Sequence, residues 1–251
     1  MHNFKFGGKD LLGFCGRITQ APSHTVAERN CELVEIPGRS GNIYIDNKCY
    51  KNVDFDLSIC FMPFLSDLTA RQLAYAVINW LAPLTGYQIY EDTYNPGYYT
   101  KAVLKNIGEI KRELPTLLTA TLSFSRLPYW YRLDGQKEII LPNDKSAKII
   151  DNPEPFDAPP IFIYKNQNTV GASITLQIND EKTLLHPKTD YTEQRLDGLN
   201  LQYKGIKADG TAIFLGPELP PNLKSGENTV SVATISGSTE IFKIIPNWRR
   251  L

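Results

Sequence analysis

The chain has 251 residues, of which 42% are hydrophobic and 22% are charged, and its formal net charge is zero. This composition is typical of a globular protein and excludes the collagen-like and low-complexity classes. The balance of 27 basic and 27 acidic side chains disfavours nucleic-acid binding by an excess of positive charge. No window approaches the roughly 18 apolar residues of a membrane span, so we expect a soluble protein made in a cytoplasm, with no membrane association.

The cysteines and histidines show no metal-binding pattern. Neither a CxxC pair nor a zinc spacing can be written with the cysteines and the three histidines. We expect Cys15, Cys31, Cys49 and Cys60 to be buried, reduced thiols on strands, although the pattern leaves a disulfide open. We expect no metal and no cofactor.

The first clear element is a pair of alternating segments joined by the sequence PGRSG at 37–41. Pro37 fixes φ for a turn, and Gly38 and Gly41 tolerate the positive φ values of a short loop. A hairpin connection is favoured over a nucleophile elbow, because asparagine follows where that motif needs its last glycine. Arg39 at the tip either pairs with a carboxylate of a neighbouring molecule or stays solvated.

The next segment, from Val53 to Phe61, alternates strictly between apolar and polar residues and predicts a half-buried strand. Its polar face carries Asp54 and Asp56, whose carboxylates lie at a spacing that could serve a glycosidase. Alternation alone places polar residues there, so a solvated strand face is the favoured interpretation.

One amphipathic helix is predicted at about residues 66–82, among strands. Thr69 and Gln72 fit a capping box, and Ser66 is a second candidate N-cap. The apolar face of the helix consists of Leu73, Val77, Trp80 and Leu81. We expect this helix to lie across a sheet and to bury Trp80 against it.

Two further alternating stretches, 97–107 and 115–126, predict a long hairpin whose turn lies near 108–114. After it come the sequence RLPYWYRLDG and a proline-rich stretch, a density of proline that predicts a break in regular structure. We place the domain boundary here, which gives domains at 1–136 and 137–251.

The second half predicts an antiparallel β-sandwich or jelly roll, because short strands follow one another between turn signals without a helix pattern. The predicted strands lie at 172–178, 200–203, 211–215, 228–234 and 240–245, and the turn signals are Asn179-Asp180, Asp209-Gly210 and Ser236-Gly237. Exposed aromatic rings would make a sugar site, but Tyr203 and Phe214 fit the core better, which leaves Tyr164 and Tyr191. His186 lies near Asp190 without a nucleophile motif, so a surface turn is favoured.

Several features occur in one order along nearly the whole chain. They are FKFGGKD at 4–10, PGRSG at 37–41, a lone helix ending in Trp80-Leu81, a long hairpin, the exit sequence LSFSRLPYWYR that contains Trp130, and the closing sequence GENTVSVATISGSTEIFKIIPNWRRL. This order resembles the distal tail protein (Dit) family of siphophages that infect Gram-positive bacteria.

The resemblance implies a mainly β protein. Its N-terminal β domain would carry one helix and a long β-hairpin, and a galectin-like sandwich would follow, with the last residues packing back on the first domain. It implies a homo-hexameric ring at the tail tip of a phage or prophage. The ring would join the tail tube, built of major tail protein, to a tail-associated lysin or fibre protein. In some phages of the family it also carries receptor-binding proteins.

The same resemblance implies a structural role without catalysis. DNA would pass through the lumen without specific binding, with Asp54 and Asp56 available for the inner wall. A head-to-tail ring needs two different complementary surfaces, for which sheet edges and the long hairpin are suitable. The interface or structural candidates are Pro37, Gly38, Arg39, Gly41, Asp54, Asp56, Trp80 and Trp130. A carbohydrate-binding adhesion protein and a cell-wall hydrolase stay open as alternatives.

Overall fold

The structure is a computed structural model that describes residues 2–142, 144–164, 173–186, 188, 190–235 and 241–251. The chain divides into two compact units, one that runs to Trp130 and includes Leu251, and one from Tyr131 to Arg250. The architecture is mainly β, as predicted. The predicted turn at Ser236-Gly237 and the predicted strand start at Ala172 lie outside the described residues.

The first unit combines a large sheet, a small sheet and a helix. Its strands are β1 (Phe4–Phe6), β2 (Lys9–Asp10), β3 (Gly16–Ile18), β4 (Arg29–Val34), β5 (Ile43–Tyr50), β6 (Val53–Phe61), β7 (Gln88–Asp92), β8 (Tyr98–Asn106), β9 (Lys111–Leu114) and β10 (Leu117–Arg126), and its helix is α1 (Ala70–Leu81). The large sheet has the order β2-β1-β7-β8-β10-β6-β3, with β9 also paired to β10. β4 and β5 form a separate two-stranded antiparallel sheet.

β6 and β10 form the longest pairing of the large sheet. They run antiparallel from Val53 opposite Arg126 to Phe61 opposite Leu118. The predicted alternation of β6 is confirmed, because its buried side chains belong to odd positions while Asp54 and Asp56 are exposed. The apolar face of this pair therefore supplies the centre of the first core.

Helix α1 is shorter than the predicted 66–82. The capping box of Thr69 and Gln72 is confirmed at its start. Ser66 does not cap the helix, because its hydroxyl donates to the carbonyl of Pro63 at 2.9 Å in the preceding turn. The predicted apolar face is confirmed, and it is buried at Leu73, Val77, Trp80 and Leu81.

The long hairpin forms, but the turn predicted near 108–114 is wrong. Strand β9 lies in that segment and pairs with β10, so the chain reverses at Pro115 and Thr116. Gly108, between β8 and β9, has a φ of +66°, and a Cβ there would lie 2.6 Å from the carbonyl oxygen of Thr121. Both the backbone angle and the close approach of another strand require glycine at this position.

The rest of the chain forms two sheets. The strands of these sheets are β12 (Ile139–Leu141), β13 (Lys148–Asn152), β14 (Ile161–Tyr164), β15 (Ser173–Ile178), β16 (Glu181–Leu185), β17 (Glu193–Asp197), β18 (Gln202–Ile206), β19 (Ala212–Gly216), β20 (Gly226–Ile235) and β21 (Phe242–Ile245). Two short strands, β11 (Trp130–Arg132) and β22 (Arg249–Arg250), pair with each other outside both sheets. One sheet has the order β12-β21-β14-β17-β18-β19 and the other β13-β20-β15-β16. Buried residues of both sheets share one apolar cluster, which makes this unit a β-sandwich, as predicted.

Some strands of this unit differ from the prediction. β18, β19, β20 and β21 lie close to predicted strands, with their ends shifted, whereas β14, β16 and β17 were not predicted. The proline-rich stretch contains β12 and β13, so the predicted break in regular structure is wrong there. Pro142 directly follows β12 and Pro153 directly follows β13, so these prolines end the strands without preventing them.

The prediction of buried cysteines on strands is wrong in two respects. Cys15, Cys31 and Cys60 are only partly buried and Cys49 is exposed, all as free thiols. Cys15 does not lie on a strand, because it ends a short 3-10 helix with a φ of +51°.

Candidate interaction surfaces

The segment 37–41 is the turn of a β-hairpin, as predicted, and joins β4 to β5. Gly38 and Gly41 have φ values of +83° and +86° and open space around them, so backbone angle and not crowding requires glycine. The amide of Arg39 donates to the carbonyl of Ile36 at 3.1 Å, which closes the turn. The Arg39 side chain is exposed and makes no ion pair within the part of the chain that the structure describes.

This hairpin, residues 29–50, is here called the arm, and its surface is unusually apolar. β4 and β5 hydrogen-bond with each other and with no other strand of the described residues. The exposed apolar side chains of the arm are Leu33, Val34, Ile36, Tyr44 and Ile45. An isolated hairpin is marginally stable in water, and clustered exposed apolar side chains mark interaction sites. The arm is therefore the clearest candidate for a contact with another molecule.

The base of the arm is fixed by polar contacts. Arg29 Nη1 lies 2.8 Å from Asp46 Oδ2, and the Arg29 guanidinium lies 5.4 Å from the centre of the Tyr50 ring. The backbone amide of Lys48, and after it Arg29, lower the pKa of Asp46 below its ordinary value. These contacts hold the two strands together near their base and leave the apolar side chains nearer the turn uncovered.

Asp54 and Asp56 lie on the exposed face of β6, but they are not two free carboxylates. Asp54 forms an ion pair with Lys105 at 2.9 Å, and Asp56 accepts a hydrogen bond from Ser123 at 2.6 Å. The hydrogen bond from Ser125, and then Lys105, lower the pKa of Asp54. Because each carboxylate is engaged by a side chain of another strand, the arrangement favours a solvated strand face over a glycosidase pair.

Trp80 lies in the core and not at a surface. Its indole Nε1 donates to the carbonyl of Phe6 at 3.1 Å, and its ring stacks on Phe14 with 4.8 Å between centroids. Only 3% of the residue is exposed. Trp80 therefore connects α1 to strand β1 and acts as a structural residue.

Trp130 is also largely buried, with 8% of its surface exposed. The guanidinium of Arg126 lies 5.3 Å from the centre of its ring. That guanidinium donates to the carbonyls of Thr25, Leu127 and Pro128 at 3.0 to 3.1 Å. Burial lowers the pKa of Arg126 to about 10. These hydrogen bonds hold the segment at Thr25 and the segment at Leu127 and Pro128 close to strand β10, which carries Arg126.

A shallow apolar groove lies between α1 and the connection from β8 to β9, and sequence reasoning missed it. It is lined by Arg71, Ala74, Tyr75, Ile78, Ile107, Gly108 and Ile110. Tyr75 is 52% exposed, and the Arg71 guanidinium lies 5.7 Å from the centre of its ring. The signal in the sequence was the presence of Tyr75 and Ile78 outside the buried stripe of the helix.

Exposed aromatic rings in the second unit differ from the prediction. Tyr203 lies in the core with 3% exposed, as predicted, but Phe214 is 63% exposed. Phe214 lies on β19, the edge strand of its sheet, where the alternation turns Ile213 and Leu215 inward. Tyr191 packs its ring against Gly205, where a Cβ would come within 2.5 Å of it.

The described residues contain no cluster of three or more His, Cys, Asp or Glu side chains that could hold a metal ion. His186 and Asp190 are both exposed, while Pro187 and Thr189 lie outside the described residues. Among helices in the described ranges, none has the length and apolar character needed to cross a membrane.

Comparison with solved structures shows similarity over the whole chain. The first match is the Dit (gp 19.1) protein of phage SPP1, described as a paradigm of the hub adsorption apparatus in phages that infect Gram-positive bacteria. The TM-score is 0.68 at 12% identity, with 100% of both chains covered. The chain has the Dit-type baseplate hub fold.

Two structures of the phage p2 baseplate in its activated conformation, with Sr and with Ca, also match this hub fold. Each gives a TM-score of 0.55 at 12% identity and covers 100% of this chain and 98% of the other. No family model and no curated protein matches the sequence. The resemblance seen in the sequence is therefore confirmed for the hub fold.

Proposed function

We propose that this chain is a structural subunit of a phage or prophage tail tip, where it forms a homo-hexameric hub ring. The observation that carries this proposal is the match to a hub protein across both units, with full coverage of both chains. A match confined to one sandwich would favour a general β fold, whereas this match covers the whole chain.

The arm supports self-assembly. A head-to-tail contact closes into a ring only if each subunit offers two different complementary surfaces. The arm supplies one surface that is apolar, exposed and unpaired with any other strand of the described residues. Arg39 at its tip adds a cation that can reach a neighbouring carboxylate.

The ring would join the tail tube to a tail-associated lysin or fibre protein, with receptor-binding proteins on the outside in some phages. DNA would pass through the lumen without specific binding. The patch of Asp54, Asp56 and Lys105 suits such a lumen, because two carboxylates and one ammonium give phosphates little attraction. This role needs no cofactor and no catalysis.

The proposal is tested by locating the protein on tail particles. Particles from the bacterium that carries the gene would be labelled with antibody against the chain and viewed by electron microscopy. We expect label at the distal end of the tail, at the junction with the tip structure. Particles with intact tails that lack the chain, or label confined to capsids, would refute the proposal.

A second candidate is adhesion to carbohydrate through the C-terminal sandwich, which is favoured by the exposed ring of Phe214. Purified protein would be tested for sedimentation with cell-wall polysaccharide. Adhesion predicts binding that Phe214→Ala abolishes and that Leu201→Ala, a change at another exposed apolar residue of the same unit, leaves intact. Equal binding by both variants, or no binding by the unaltered protein, would exclude a site at Phe214.

A further inference from the structure

We propose that the aliphatic face of the arm of one copy docks in the groove between α1 and the β8–β9 connection of the next copy. This inference rests on the proposed self-assembly and names the two surfaces that make the contact. The arm and the groove are different surfaces of the same unit, as a head-to-tail contact requires.

The two faces of the arm differ in chemistry. Cross-strand pairs place their side chains on one face, so Val34 with Ile43 and Glu32 with Ile45 share a face. The opposite face carries the pair Leu33 and Tyr44. The first face is the more aliphatic, and it also carries a carboxylate that makes no ion pair among the described residues.

The groove complements that face in apolar character and in charge. It is lined by aliphatic and aromatic side chains of α1 on one side and by Ile107 and Ile110 on the other. At its rim, Arg71 is exposed and has no carboxylate partner within the described ranges. An aliphatic strand face with Glu32 at its edge therefore meets an apolar groove with Arg71 at its edge.

The groove is open at the surface of the first unit, and Gly108 is one of its lining residues. With a φ of +66° and no Cβ, Gly108 lets the β8–β9 connection lie close to the Thr121 carbonyl. Burial of the aliphatic face against the groove would remove apolar side chains from water, which favours association. The charge pair at the rim would set the register of the contact more than its strength.

The test is charge reversal on each side and then on both. Association of the whole protein would be followed by sedimentation velocity over a range of concentrations. Glu32→Arg alone and Arg71→Glu alone should each weaken association about tenfold, because each brings like charges together. The double variant should recover association. Arg71 lies in the first turn of α1, where glutamate favours the helix, so its folding is preserved.

A second pair of variants tests the choice of face. Ile45→Asp should abolish association, whereas Leu33→Asp, on the opposite face of the arm, should leave it unchanged. If the unaltered protein associates and the Ile45→Asp and charge-reversal variants associate equally well, this contact is overturned while the proposed ring stays in place. An unaltered protein that stays monomeric throughout would overturn self-assembly itself, and this contact with it.

Discussion

The buried hydroxyl of Tyr203 is hydrogen-bonded to two neighbouring side chains. It lies 2.6 Å from Gln194 Oε1 and 2.7 Å from the hydroxyl of Tyr164. Gln194 in turn donates through Nε2 to the carbonyl of Lys188 at 3.0 Å. This polar network joins β14, β17 and β18 inside an otherwise apolar sandwich, and each of these atoms has a partner.

Removing one hydroxyl from this network should therefore be costly. We expect Tyr203→Phe to lower the free energy of unfolding by about 1 kcal/mol, the usual net value of one buried hydrogen bond. Tyr87→Phe is the control, because its hydroxyl bonds Asn52 at an exposed site where water can replace it. Urea denaturation measures both, and a Tyr203→Phe protein no less stable than the control would contradict the role of the network.

Helix α1 depends on the cap at its start. The side chain of Thr69 accepts from the amide of Gln72, and Gln72 bonds back to the amide of Thr69. Thr69→Ala should cost about 1 kcal/mol of unfolding free energy, since it removes the acceptor for that amide. Thr69→Ser keeps a hydroxyl and should retain most of the stability. Equal loss in both variants, measured by urea denaturation, would show that the cap is not responsible.

The long hairpin depends on glycine where two strands approach. Gly97 and Gly108 both have positive φ, of +83° and +66°, but only Gly108 faces another strand, with open space at Gly97. Gly97→Ala should cost about 1 kcal/mol from backbone angle alone. Gly108→Ala should cost clearly more, because its Cβ meets the Thr121 carbonyl. Thermal unfolding of the two variants measures the stability that each loses. An equal loss in both would contradict the close approach of the Thr121 carbonyl to Gly108.

Local signals of the sequence predicted part of these elements. The capping box at Thr69 and the alternation of β6 are complete within a few residues, so no distant contact was needed to identify them. Strands such as β14 and β17 were missed because they are short and buried within a sandwich, where alternation is weak. The reversal at Pro115 was missed because pairing of β9 with β10 is a contact between strands and not a local preference.

Surfaces were harder to predict than strands. The sequence around Phe214 has the pattern of a core strand, but that strand, β19, is the edge of its sheet. The order of strands in a sheet cannot be inferred from the local sequence. The turn of the arm was predicted from Gly38 and Gly41. The exposure of the arm was not, because nothing in the alternation shows that no other strand lies beside β4 and β5.

The whole molecule combines a hub fold with two exposed surfaces on its first unit, the arm and the groove, which we propose to be complementary. The fold comes from the burial of two separate apolar cores, one in each unit. The apolar side chains of the arm are absent from both cores, whereas the groove residues Ala74, Ile107 and Ile110 pack against the first core with one side and leave the groove open on the other. The proposed assembly of copies would cover both surfaces, which folding of a single chain leaves exposed.

Native mass spectrometry of the purified protein over increasing concentration tests this account most directly. We expect a closed species of six times the 28.3 kDa chain mass, without larger open polymers, because a head-to-tail contact with the right rotation closes into a ring. A single 28.3 kDa species at every concentration, or a dimer that stops at two copies, would contradict the account.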